Sequence, residues 1–167
     1  LFAAGELDAI TINFPTPQPK AKYAKKRLVH VDHLMLYRPL FAAGATVTLR
    51  TDSKPLRDYA LGQFAAAGYG TLWVSDDVRR DHPEHPETEY ECRTREMGAV
   101  VYGICATPDA KPTEEQLAAG RAQEQSLACY LPDDLDELTY VPLGMEEAVE
   151  NFKNRARKGK KRLPQES

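Results

Sequence analysis

Residues 7–14, LDAITINF, alternate apolar and polar side chains and are rich in isoleucine, which predicts a strand. Apolar residues then recur at Leu28, Val31, Leu34, Met35, Leu40 and Phe41. That is the spacing of an amphipathic helix over 27–41, and Gly44 is placed to follow its end. The β-branched run 45–51 predicts a second strand. Ser53 is set to cap a helix with Pro55 in its first turn and Gly68 as its stop. A third strand is expected over 69–76, a polar loop over 76–87 and a fourth strand over 98–106. The order strand, helix, strand, helix, strand, strand implies an α/β sheet of parallel strands covered by helices, closed by an antiparallel edge.

In such a sheet the ligand lies beyond the carboxyl ends of the strands. The loop after Phe14, the corner Thr51-Asp52 and the loop 76–91 all lie at or near those ends, so three loops are expected to converge on one site. Beyond residue 106 the pattern changes. A helix capped by Thr113, an acidic connector (PDDLDELTYVP) and a second helical stretch from Gly144, acidic first and basic last, make 107–167 a helical extension of the sheet domain 1–106. Its basic tail is expected to be disordered.

With 42% hydrophobic and 28% charged residues the chain reads as globular, and no apolar run is long enough for a membrane span. The first residues lack the order of a secretory leader, so none is expected. Cys92, Cys105 and Cys129, an odd number without metal-type spacing, read as reduced cytoplasmic thiols. The net charge of −3 argues against a nucleic-acid binder, but the distribution does not. Lys20, Lys22, Lys25, Lys26 and Arg27 occur with no acid among them, and 153–162 hold seven more Lys or Arg.

On the residues alone the readings stay open. The run 20–27 is a phosphate-binding loop or a solvated one, and Asp52 is a ligand-facing carboxylate or a cap for the helix after it. Glu91 is a site group or a surface partner of Arg93 or Arg95. His30 and His33 lack a third metal ligand. His82, His85 and Cys92 in HPEHPETEYEC offer zinc donors at a spacing that fits no closed structural site, so no metal is expected and a metal-dependent hydrolase ranks last.

Three stretches in order, NFPTPQPKAKYAKKRL, LRTDSKPLRDYALGQFAAAG and TEYE ahead of MGAVVYGICA, resemble the carboxyl half of the bacterial tRNA guanine-N7 methyltransferases across residues 7–106. The resemblance implies a Rossmann-like class I methyltransferase sheet and transfer of methyl from S-adenosyl-L-methionine to N7 of a guanine in tRNA. It implies that Lys20 holds substrate, that Lys22, Lys25, Lys26 and Arg27 contact the RNA backbone, and that Asp52 contacts the guanine. The family's Thr-x-x-Glu motif falls on Thr88, Glu89, Tyr90 and Glu91. Carboxylates suit the N1–H and N2–H₂ donors of a guanine edge, and N7 carries the free lone pair.

Two positions depart from the family. Thr16 stands where the family has an aspartate near the cofactor, and Gln18 replaces the tryptophan after it. A catalytically silent RNA-binding relative is therefore the alternative reading. The family's glycine-rich turn and cofactor-holding acids have no counterpart here. The expectation is that the chain is a fragment of a longer protein, with a swapped homodimer as the weaker option.

Overall fold

The computed structural model describes residues 2–136 and 138–160, with side chains to 157. The expected tail disorder therefore falls, over 161–167, outside the described residues. Four strands form one sheet: β1 (Leu7–Asn13), β2 (Phe41–Thr51), β3 (Tyr69–Ser75) and β4 (Tyr102–Pro108). Their spatial order is β1-β2-β4-β3. β1 and β2 are parallel, whereas β4 runs antiparallel to both β2 and β3. The closing pair thus makes the antiparallel edge, with β4 inserted between β2 and β3.

The helices are α1 (Val31–Tyr37), α2 (Lys54–Ala66), α3 (Val78–Asp81), α4 (Glu89–Glu96), α5 (Glu114–Ala122) and α6 (Glu146–Lys160). Ser53 caps α2 by accepting from the Leu56 N–H at 3.3 Å, as its position predicted. Gly68 ends α2 at φ +73, where a Cβ would strike the Ala110 carbonyl. Thr113 caps α5 in a reciprocal box with Gln116.

Three expectations are corrected. The helix predicted over 27–41 begins only at Val31, because His30 caps it and Arg27 turns inward as a buried side chain. Gly44 does not terminate that helix. It lies within β2 at φ +76, where the pairing slips between Leu7↔Phe41 and Ala9↔Thr46. The polar loop 76–87 contains the turn α3, whose Asp77 side chain accepts from the Arg79 and Arg80 N–H groups.

One core joins the sheet to its helices. Val47, Leu49, Ile104 and Ala106 pack with Leu56, Tyr59, Ala60 and Phe64 of α2 and with Val31 and Leu34 of α1. Full burial of a side chain such as Phe64 is worth about 1.5–3 kcal/mol, and its ring meets Tyr69 edge-on at 5.5 Å. Leu117, Leu127 and Met145, beyond residue 106, belong to the same cluster. Among the described residues no helix is long and apolar enough to cross a membrane.

Candidate functional site

β2 ends in Thr51, and the corner that follows positions Asp52. Ser53 takes the capping role, so the Asp52 carboxylate is left for other partners. It is 8% exposed, and its Oδ2 accepts hydrogen bonds from two phenols, Tyr90 at 3.0 Å and Tyr140 at 2.7 Å. Tyr90 comes from the first turn of α4, and its ring lies 5.0 Å from that of Phe14 at the end of β1. Tyr140 comes from the connector before α6. Burial raises the pKa of both phenols, and the Asp52 carboxylate beside them raises it further, so both stay protonated and donating. A cavity of about 300 Å³ opens beside Asp52, walled by Tyr102, Tyr130, Tyr140, Val141 and Met145.

The rest of the Thr-x-x-Glu segment points elsewhere. Thr88 caps α4, accepting from the Glu91 N–H at 3.2 Å, and Glu89 is exposed, 3.9 Å from Arg93. Glu91 is fully buried and ion-paired with Arg50 of β2 and, at 2.6 Å, with Arg79 of α3. This corrects the reading of Glu91 as a surface partner of Arg93 or Arg95, since its carboxylate is committed to Arg50 and Arg79 in the interior. Two guanidiniums at 1% and 16% exposure need a buried anion, and Glu91 supplies it to both. Burial lowers the pKa of Arg50, and the Glu91 charge opposes that shift.

The loop after β1 is held in a strained shape. Phe14 and Gln18 adopt φ +47 and +51, each at a cost of about 1–3 kcal/mol for a non-glycine residue. Arg27 offsets this. Its guanidinium is 1% exposed, donates to the carbonyls of Pro17, Gln18 and Gln125, and lies 4.4 Å from the centre of the Tyr59 ring. The expected role of Arg27 in RNA contact is thereby corrected, because its charge is spent inside the protein. Lys22, Lys25 and Lys26 are exposed, with Lys22 and Lys26 stacked over Tyr23 at 4.9 and 4.8 Å. Lys20 is half exposed and pairs with Glu147 of α6 at 2.9 Å. Thr16 is exposed in the loop after β1.

The structure thus brings Asp52 and Tyr90 together, keeps Lys20, Lys22, Lys25, Lys26 and Thr16 on the surface, and takes Arg27 and Glu91 into the interior. His30 is 2% exposed and accepts from the Asp32 N–H, so His30 and His33 make no metal pair. Sequence reasoning missed Tyr140 and Arg79. Tyr140 stands 88 residues from Asp52, and its one signal was an aromatic residue in an otherwise acidic connector.

A sequence profile of the family described as "Putative methyltransferase" matches residues 1–104, which include β1 to β3 and the start of β4 but not Tyr140. Among curated proteins, the tRNA (guanine-N(7)-)-methyltransferase of Streptococcus equi subsp. zooepidemicus is 34% identical over 107 residues, covering 64% of this chain and 51% of the relative. Its counterpart in Exiguobacterium sibiricum is 33% identical over 64% of this chain and 50% of the relative. That of Brevibacillus brevis is 32% identical over 64% and 51%. The chain spans about half the length of the curated relatives it matches. With more than half of its residues inside the family profile, and the strand order and Asp52 corner in place, the chain belongs to this methyltransferase family.

Proposed function

We propose that this protein acts in the cytoplasm in the transfer of a methyl group from S-adenosylmethionine to N7 of a guanine in tRNA, with Asp52 holding the base. The observation that carries this reading is the doubly held Asp52 carboxylate. Tyr90 and Tyr140 both donate to Oδ2, which fixes the group while Oδ1 keeps its capacity to accept from a guanine N1–H or N2–H₂. The names of the curated relatives support tRNA as the substrate. N7 already has a free lone pair, so positioning rather than proton transfer governs the rate. The exposed lysines of the loop 20–26 supply phosphate affinity without sequence information.

Family membership implies S-adenosylmethionine, which supplies an electrophilic methyl group when bound. Its ribose and adenine call for acidic acceptors at a strand end. At the end of β1 the described residues offer Asn13, Phe14 and Thr16, none of them acidic. These residues do not by themselves fit the cofactor's ribose and adenine.

The test is transfer of labelled methyl to bulk tRNA by the protein expressed from its complete gene. Asp52→Ala is expected to lower kcat/KM by roughly 100-fold or more, the scale of two lost hydrogen bonds to a charged group. Undiminished transfer would remove Asp52 from base-holding. The second reading, a silent RNA-binding relative, is favoured by Thr16, a neutral hydroxyl where the family carries an aspartate. It predicts salt-dependent tRNA binding without transfer, and gain of transfer in Thr16→Asp.

A further inference from the structure

We propose that His82, Glu84 and His85 form a binding site for one divalent transition-metal ion of the zinc class. The three residues follow α3 in the loop leading to the cap of α4, and one ligating atom of each lies within 4.8 Å of the others. Glu84 Oε1 sits between the imidazoles, 3.3 Å from His82 Nδ1 and 3.9 Å from His85 Nε2. Ligand atoms around tetrahedral zinc are about 3.4 Å apart, given metal–nitrogen bonds of about 2.0–2.1 Å. The observed separations therefore exceed that spacing by no more than about 1.4 Å. Two imidazoles and one carboxylate select zinc-class ions over calcium or magnesium.

The surroundings hold the triad ready. The His82 ring stacks on Trp73 at 4.0 Å and 26°, and His85 meets the same indole at 5.7 Å. The His85 N–H donates to the His82 carbonyl at 3.2 Å, and Arg79 donates to the His85 carbonyl at 2.9 Å. Pro83 and Pro86 limit the freedom of the loop. Of the neighbouring cations, Arg80 is paired with Asp81, while Arg79 shares the single Glu91 carboxylate with Arg50. Side-chain exposures of 23% and 27% at the histidines leave an entry path and room for a water as fourth ligand. An ion here would clamp the loop that delivers Thr88 and so Tyr90, without touching the Asp52 site.

The test is calorimetric titration of the full chain with Zn²⁺, followed in parallel by the emission of Trp73, the single tryptophan. The expected result is one Zn²⁺ per chain with a change in Trp73 emission. His85→Ala and the exposed Glu84→Gln should each weaken binding roughly tenfold or more, and Cys92→Ser should not alter it. No uptake of Zn²⁺, or uptake that His85→Ala and Glu84→Gln leave intact, overturns the proposal. So does uptake that Cys92→Ser abolishes, which would assign the ion to the thiol.

Discussion

Asp52 and Glu91, two carboxylates from two motifs of one family, are held in opposite ways. Asp52 is gripped by neutral phenols from α4 and from the connector before α6, which orient it without cancelling its charge. Glu91 lies between two guanidiniums, and its charge is consumed. Neutral donors prepare an acceptor for a further partner, whereas cations turn it into a structural bolt joining α4 to β2 and α3.

The sharpest way to break that contrast is Glu91→Ala, which strands Arg50 in the interior and should cost about 3–5 kcal/mol in urea unfolding. A loss below about 1 kcal/mol would show that the bolt carries no weight. Arg27→Met should follow, at about 2–3 kcal/mol for the lost bonds to the loop carbonyls. By contrast, changing Lys22, Lys25 and Lys26 together to Gln should leave the melting temperature unchanged. It should reduce the salt slope of tRNA binding by about 2–3, the mark of phosphate contacts. Tyr140→Phe removes one of two donors to the Asp52 carboxylate and should cost about 1.5–3 kcal/mol, with the Tyr90 bond kept. A cost equal to that of Glu91→Ala would erase the distinction between the two carboxylates.

The smallest effect concerns His30. Burial lowers its pKa below the ordinary 6.5, so the folded protein keeps it neutral while the unfolded chain takes up a proton. The stability it contributes is complete above pH 6.5 and is lost as the pH falls through that value toward the folded pKa. His30→Asn, which keeps a side-chain acceptor for the cap, should flatten that part of the pH–stability curve.

Much of the frame was legible locally. The strand 7–13, the Ser53 cap and the Gly68 stop each follow from residues within a few positions of one another. What escaped was decided by distant partners. Arg27 looked like one more cation in a basic run, and only the carbonyls of Pro17, Gln18 and Gln125 made it a clamp. Glu91 had arginines two and four residues away, yet it chose Arg50, 41 residues off, because the Glu91 side chain turns into the interior where the Arg50 guanidinium is buried. Tyr140 is the extreme case, since the acidic connector around it carries nothing that points to Asp52, 88 residues away.

The strand order also bears on how the chain acquires its shape during synthesis. β2 and β3 share no ladder, because the slot between them belongs to β4, the last of the described strands in chain order. While residues 102–108 are still inside the ribosome, the described strands share no continuous ladder, and β3 has no partner among them. Slow translation while residues 102–108 remain inside the ribosome would prolong that divided state, and their release would join β2 and β3 through β4 from both sides at once.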